Sequence, residues 1–244
     1  MKKLKFIFIA LLIVSCSSDG NTSDDSIILS DYIENRIFEN GAVIACAGND
    51  VNDANTLEVY FYPENNASNF RLYQTSSTDV DPNDFSNYTQ VINSDLPLFN
   101  GYLRKFVATY TSERWFVVSV EIDDEIKLSN PIRSKNQSQP MLFSDQININ
   151  HDESLMPVFN WDINSESNNA IFFQVLSTTD DDLISGTYTY ENQFQYYNTS
   201  NVVLNITNGT PPNLTQGQDY KFTIMDVSED NWVNELFVLQ FTAQ

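Results

Sequence analysis

The sequence predicts an all-β protein of two tandem antiparallel β-sandwiches that follow an N-terminal leader and a flexible spacer. After residue 40, short β-type runs recur at regular spacing and are separated by Asn, Asp, Ser and Pro. Segment 57–62 (LEVYFY) alternates Leu, Val and Phe with Glu and Tyr, which is the two-residue period of a β-strand. Segments 70–79 and 115–120 align with segments 171–180 and 220–225, which indicates that the second half repeats the first.

The first sixteen residues form a targeting signal. Three lysines among the first five residues precede an unbroken apolar run at 6–14, which is too short for the roughly 20 residues of a bilayer-spanning helix. The run ends in Ile13-Val14-Ser15-Cys16 and then becomes polar. This pattern resembles a bacterial lipoprotein signal. The resemblance implies cleavage of residues 1–15 and lipidation of Cys16; an ordinary secretory signal with a chance cysteine is the alternative.

A lipid on Cys16 would place the protein on a membrane. Each buried methylene of an acyl chain contributes about 0.8 kcal/mol, so several chains give stable anchoring. Asp does not follow Cys16, and for lipoproteins of this type that implies delivery to the outer membrane. We therefore expect an outer-membrane, lipid-anchored protein facing the periplasm or the cell surface. Residues 16–26 are expected to be the lipidated cysteine and a flexible polar spacer.

The first β-sandwich is predicted at residues 27–136. Segment 27–39 is ambiguous, because its apolar spacing suits a helix whereas its Ile, Tyr and Phe content suits a strand. Asp123-Asp124 is expected to form a tight hairpin, since Asp tolerates left-handed backbone. The predicted strand runs are 42–47, 56–62, 69–75, 102–110, 115–122 and 125–132.

The second β-sandwich is predicted at residues 137–244, after the polar segment 134–140 (SKNQSQP). Its predicted strand runs are 156–163, 170–177, 187–197, 202–206, 220–227 and 236–242.

The second half resembles a fibronectin type III or immunoglobulin-like domain. Pro157-Val-Phe-Asn-Trp161 is similar to the strand that places a Trp between the two sheets, and the segment from Leu214 to Tyr220 is similar to a tyrosine corner. The resemblance implies that the Tyr220 hydroxyl bonds to the backbone of the preceding loop. The first half departs from it, because Trp115 stands where the corner Tyr would be. We expect both Trp115 and Trp161 to be core residues.

Composition and charge exclude several function classes. The chain has 33 acidic and 12 basic residues and a net charge of −21, which argues against nucleic-acid binding and electrostatic docking on anionic lipid. The single histidine, His151, is expected in a solvated loop, and Cys46 is expected to be a buried, inert thiol. A zinc site or a Ser-His-Asp triad is therefore not expected. We do not expect an enzyme; the alternative is a carboxylate-dependent glycoside hydrolase.

Two candidate ligand sites remain. Asp79, Asp81 and Asp84 have part of the spacing of a calcium loop, with the acidic turn at 180–182 as a second candidate. An exposed aromatic platform for glycan is the other candidate, and it consists of Trp232, Tyr188, Tyr190, Tyr196 and Tyr197. No cofactor is expected apart from this calcium.

The sequence thus predicts a lipid-anchored cell-envelope protein that acts as a non-catalytic binding, adhesion or scaffold module, with glycan or other envelope proteins as partners. The layout resembles that of accessory glycan-binding lipoproteins of polysaccharide-uptake systems. Fold does not determine function, so a surface hydrolase and a purely structural envelope protein stay as alternatives.

Overall fold

The structure is a computed structural model that describes residues 27–163, 168–207 and 209–244. The predicted signal peptide, Cys16 and the spacer lie outside the described residues. The described chain is an all-β sandwich fold with one short α-helix, α1 (Leu29–Ile33), and two single-turn 3-10 helices, Phe85–Asn87 and Phe99–Gly101. None of its helices has the length and apolar character needed to cross a membrane.

Two sheets form the first sandwich. Sheet A has the order β1-β9-β8-β4-β5, with β10 also paired to β8, and sheet B has the order β2-β3-β7-β6. Their strands are β1 (Phe38–Val43), β2 (Ala45–Asn49), β3 (Thr56–Phe61), β4 (Ser68–Gln74), β5 (Thr89–Val91), β6 (Leu96–Leu98), β7 (Leu103–Thr109), β8 (Trp115–Ile122), β9 (Glu125–Ser129) and β10 (Ile132–Arg133).

Two further sheets form the second sandwich. Sheet C has the order β11-β19-β18-β14-β15-β17, and sheet D has the order β12-β13-β16. Their strands are β11 (Leu142–Ser144), β12 (Ile147–Asn150), β13 (Val158–Trp161), β14 (Asn169–Thr178), β15 (Leu183–Thr189), β16 (Gln193–Gln195), β17 (Val202–Asn205), β18 (Asp219–Ser228) and β19 (Val233–Thr242).

The second sandwich repeats the topology of the first. In each, the first strand pairs in parallel with a strand near the end of the same half, β1 with β9 and β11 with β19. The aligned segments are partnered strands in both halves, β4 with β8 and β14 with β18. Leu72 lies opposite Val118, whereas Thr223, the counterpart of Val118, lies opposite Val175, two residues beyond the aligned position. A shift of two residues keeps every side chain on its face of the sheet, so the repeat survives it.

Two predicted runs are each split between sheets. Run 42–47 is broken at Ile44, where β1 ends in sheet A and β2 begins in sheet B. Run 187–197 is broken after Thr189, where the chain passes from sheet C to β16 in sheet D. Apolar residues continue across both breaks because both flanking strands are partly buried, so periodicity alone does not reveal the change of sheet. The ambiguous segment 27–39 contains both a helix and the start of a strand.

The Asp123-Asp124 hairpin is confirmed. Both residues have positive φ, 49° and 67°, and Ile122 lies opposite Glu125. Asp therefore supplies the left-handed backbone for which glycine is more usual.

The tyrosine corner of the second sandwich is also present. The backbone N–H of Thr215 donates to the Tyr220 hydroxyl at 3.0 Å, and the Tyr220 ring is buried. Trp161 is buried between the sheets and meets Phe172 edge-on, with ring centroids 5.2 Å apart. The expectation that Trp115 is a core residue is wrong, because it lies half-buried at the margin of sheet A, where its indole N–H donates to the carbonyl of Thr78 at 3.3 Å.

The two sandwiches share a hydrophobic junction. Around Cys46 and Tyr60, the outer face of sheet B packs in one cluster with Phe173 and Tyr188 from the outer face of sheet C. Trp232, at the β18–β19 turn, is fully buried in this cluster. Sheet C is therefore covered on both faces, which explains the nearly continuous burial of β14.

Backbone contacts also hold the junction. The N–H of Ala47 donates to the carbonyl of Asn231 at 3.0 Å, and the indole N–H of Trp232 donates to the carbonyl of Gln139 at 2.9 Å. The N–H of Met141 donates to Asn49 Oδ1 at 2.7 Å. These bonds fix the connection between the sandwiches as well as the facing sheets.

Helix α1 covers the outer face of sheet A. Leu29, Tyr32 and Ile33 are buried there against side chains of β4, β8 and β9. The carboxylate of Glu121 accepts hydrogen bonds from Tyr32 and Asn69 and forms an ion pair with Arg36. Burial acts to raise the pKa of Glu121, but the hydrogen bonds from Tyr32, Arg36 and Asn69 and the charge of Arg36 outweigh it and lower the pKa to about 2.

Candidate functional site

The outer face of sheet D carries rows of amide side chains. Asn148 lies opposite Asn160, which lies opposite Gln193 on the third strand. In the next row Asn150 lies opposite Val158, which lies opposite Gln195. Because side chains alternate along a strand, burial of Phe159, Trp161 and Phe194 in the core directs these amides outward. No other sheet of the described chain packs on this face.

A polar pocket of about 160 Å³ lies beside the free edge of this face. It is formed by β16 and the turn that follows. Besides Val158, its lining consists of Glu191, Gln193, Gln195, Asn198, Ser200 and Asn201.

Hydrogen bonds to neighbouring groups orient the amides of the pocket. Gln193 Nε2 donates to Asn160 Oδ1 at 2.9 Å, and Asn201 Nδ2 donates to the carbonyl of Gln193 at 2.9 Å. Gln195 Nε2 donates to Glu153 Oε2 at 2.9 Å. Each of these NH₂ groups has two hydrogens, so bonds that fix their orientation can leave donor capacity toward solvent.

Two side-chain oxygens of the pocket are also free to accept hydrogen bonds. Within the described part of the chain, Gln193 Oε1 and Asn201 Oδ1 accept no hydrogen bond. The pocket therefore presents donors and acceptors side by side on side chains that are already oriented. Such an arrangement is complementary to the neighbouring hydroxyl groups of a sugar, each of which donates and accepts.

The predicted aromatic platform is wrong for three of its five residues. Trp232, Tyr188 and Tyr196 are buried, because Trp232 fills the junction, Tyr188 stacks on Phe173 with centroids 4.5 Å apart, and Tyr196 packs in the core of the second sandwich and donates to the carbonyl of Pro212. The structure does not bring the five rings together on one exposed surface.

The other two tyrosines lie near the amide pocket in the sequence. Tyr190 is 66% exposed and immediately precedes Glu191 of the pocket. Tyr197 is half-buried, immediately precedes Asn198 of the pocket, and its hydroxyl accepts from Asn205. Of the predicted platform, only these two rings are placed to serve a ligand on the second sandwich.

The predicted calcium site at Asp79, Asp81 and Asp84 is not supported. Asp81 Oδ1 accepts from the N–H of Asn83 at 2.9 Å, and Asp84 Oδ1 accepts from the N–H of Ser86 at 3.0 Å, so both carboxylates stabilise turns of the loop. In the second candidate loop, Asp181 forms an ion pair with Lys221. Nowhere in the described residues do three or more acidic, His or Cys side chains form a group that could hold a metal ion.

Cys46 and His151 have no place in this pocket. Cys46, predicted to be buried, is a half-buried free thiol at the junction, and burial of its sulfur raises its pKa to about 12. The His151 ring lies near Phe241, with centroids 6.4 Å apart.

Sequence reasoning missed the amide residues of sheet D, although a signal for them exists. Asn148 and Asn150 are separated by one apolar residue, and so are Gln193 and Gln195. Amides that alternate with apolar residues indicate a strand whose outer face is polar but uncharged.

No family model matches the chain, and no curated protein matches it. The solved structures that are similar to it, at low TM-scores, include the following three. The FN1–FN3 domains of chicken CNTN1 are 10% identical, over 86% of this chain and 68% of that one, with a TM-score of 0.31. The chicken interferon gamma receptor alpha chain is 10% identical, over 82% of this chain and 96% of that one, with a TM-score of 0.25.

The third structure is the glycoside hydrolase domain of Endo-D from Streptococcus pneumoniae R6. It is 11% identical, over 82% of this chain and 32% of that one, with a TM-score of 0.33. Similarity this low carries no information on ligand or activity.

Proposed function

We propose that the chain is a lipid-anchored protein of the cell envelope that binds glycan without cleaving it, through the outer face of sheet D. The observation that carries this proposal is the set of oriented amides at Asn160, Gln193 and Asn201, with unused acceptors on the last two. Sugars are bound by such side chains because each hydroxyl finds both a donor and an acceptor.

The anchor in this proposal is Cys16. A polar spacer of ten residues, 17–26, would separate the lipid from helix α1. The buried side chains of α1 attach the start of the described chain firmly to sheet A. A tether at this end would leave sheet D, which belongs to the other sandwich, available to ligand.

A hydrolase is the second candidate function, because two carboxylates border the amide face. Glu191 Oε2 accepts from Asn201 at 3.3 Å and Glu153 Oε2 accepts from Gln195 at 2.9 Å. Both residues are exposed, whereas a catalytic acid is usually found where the site excludes water. In our proposal these carboxylates orient amides.

A glycan array with the Cys16→Ala chain tests the binding half of the proposal. We expect a neutral polysaccharide to bind, and Gln193→Ala or Asn201→Ala to weaken it about three- to tenfold, since each removes bonds of about 0.5–1.5 kcal/mol. Gln240→Ala is the matched control, because Gln240 is an exposed amide on sheet C. Release of new reducing ends from the bound polysaccharide would favour the hydrolase instead.

Labelling with a fatty-acid analogue tests the anchor. We expect the label on the wild-type chain and not on Cys16→Ala, which should leave the membrane fraction. Membrane association that does not change in Cys16→Ala would refute lipid anchoring.

A further inference from the structure

The junction contains a small, partly open apolar cavity. Its volume is about 80 Å³, and it is lined by side chains of both sandwiches, among them Ile44, Tyr60, Phe173 and Tyr188. Most of the lining is apolar, and the ring of Tyr188, which is only 7% exposed, stacks on Phe173 with centroids 4.5 Å apart. Such a lining is complementary to an apolar side chain.

A wider groove on the surface borders the cavity. Ile44 and Tyr62 line both, and the groove has a volume of about 360 Å³. One wall is formed by Leu204, Asn205 and Ile206, at the end of β17. The other wall is formed by the connection between β1 and β2 and by the loop after β3.

Strand β17 forms the edge of sheet C that borders this groove. It pairs with β15 on one side and with no strand of the described chain on the other. Val203 is 48% exposed and Leu204 is 43% exposed. The strand sequence, VVLN, contains none of the lysines or prolines that commonly protect such edges from pairing.

We propose that the free edge of β17 accepts an extended peptide of a partner protein as a seventh strand of sheet C, with one apolar side chain entering the junction groove. Directly opposite residues of neighbouring strands share a face, and Leu204 lies opposite Tyr188 on the junction side. A partner residue opposite Leu204 would therefore point into the groove. Backbone hydrogen bonds give affinity in this mode of binding, and the pocketed side chain gives specificity.

The charge of the groove favours a basic peptide of a partner protein over a second copy of this chain. Glu64 is the one charged residue that lines the groove, and it forms no ion pair within the described chain. The chain as a whole carries a net charge of −21, so a second copy would be repelled. The occupant is therefore a peptide that carries a lysine or arginine beside its apolar anchor. This interaction goes beyond the proposed glycan binding and uses a different surface.

Hydrogen exchange on the full chain tests the proposal with a synthetic probe, the peptide Thr-Val-Thr-Val-Thr-Lys. The peptide should slow exchange of the backbone amides of β17 at least fivefold. The same peptide with alternate backbone nitrogens methylated is the control, because it keeps the side chains but loses the edge hydrogen bonds. Equal protection by both peptides, protection at β16 instead, or no protection at either edge would overturn the proposal.

Three variants sharpen the test. Leu204→Lys should lower the affinity for the peptide at least tenfold, whereas Val238→Lys, an equally exposed apolar position on sheet C away from the groove, should leave it unchanged. Glu64→Gln should weaken binding and reduce its dependence on salt. An equal loss in Leu204→Lys and Val238→Lys would show an effect of charge alone and contradict the inference. All three positions are exposed, so the variants should fold.

Discussion

Sheets B and D hold equivalent places in the two sandwiches, yet their outer faces differ in character. In sheet B that face carries Cys46 and Tyr60 and packs against the neighbouring sandwich. In sheet D it carries Asn148, Asn160 and Gln193 and faces solvent. Two sheets of equivalent topology therefore differ in what their outer faces contact, and the side chains on those faces cause the difference. An apolar face holds a neighbouring sheet, whereas an amide face is left for a ligand.

The outer faces of sheets A and C extend the comparison. Helix α1 covers sheet A, and sheet B covers sheet C. Sheet D is thus the exception among the four sheets of the described chain. We therefore expect substitutions on the covered faces to lower the free energy of unfolding. Substitutions on the amide face should lower only the affinity for glycan.

The largest loss of stability is expected for Trp232→Ala. Its fully buried side chain fills the junction, and truncation of such a residue typically costs about 3–5 kcal/mol. We also expect the single urea unfolding transition to separate into two, because the sandwiches lose their main shared contact. Trp115→Ala is the control, since that ring is half-buried at the margin of sheet A. A loss below about 1 kcal/mol for Trp232→Ala would mean that the junction does not stabilise the protein.

A smaller loss is expected for Gly48→Ala, on the outer face of sheet B. A Cβ at this position would lie 2.6 Å from Met141 Sδ and 3.4 Å from Val233 Cβ. Overpacking of this kind typically costs about 1–3 kcal/mol. If the clash with Met141 is the cause, the double variant with Met141→Ala should lose less than the sum of the two single losses. Strict additivity would place the cost elsewhere.

The packing of α1 on sheet A should stabilise the protein less at low pH. Glu121 has a folded-state pKa of about 2 against an ordinary value of 4.5, so it stabilises the fold fully above pH 4.5. This stabilisation is lost progressively as the pH falls from 4.5 toward 2. Urea midpoints measured across this range should fall more steeply for the wild type than for Glu121→Gln. Parallel curves for the two proteins would contradict the role assigned to this carboxylate in holding α1.

The smallest effect on stability is expected on the amide face. Gln193 is exposed and Asn201 is half-buried on the surface, so the free energies of unfolding of Gln193→Ala and Asn201→Ala should stay within about 0.5 kcal/mol of the wild type. Urea denaturation measures this directly. A loss comparable with that of Gly48→Ala would show that the amides are structural and would remove the contrast between sheets B and D.

Much of the fold could be predicted from the sequence because strand periodicity is a local property. Segment 57–62, the Asp123-Asp124 turn and the Tyr220 corner each depend on near neighbours, and each is found in the structure. The places where a run passes between sheets, after Val43 and after Thr189, depend on distant strands. Apolar content continues through both, so no local pattern marks them.

The candidate site was harder to predict for the same reason. Trp232 lies in a polar turn, Glu229-Asp-Asn-Trp-Val-Asn234, and this local context suggests exposure. Its burial comes from Ala47 and Gln139, which lie more than ninety residues away. The amide rows also form only when three strands adopt their register, although the alternation at Asn148 and Asn150 and at Gln193 and Gln195 is visible beforehand.

The most direct test of glycan binding on sheet D is NMR of the side-chain amide groups during titration with the polysaccharide that the array identifies. We expect the NH₂ signals of Asn160, Gln193 and Asn201 to shift together with one affinity, while that of Gln240 stays fixed. Fixed signals for those three amides under saturating polysaccharide, with shifts elsewhere, would contradict the assignment of this face as the binding site.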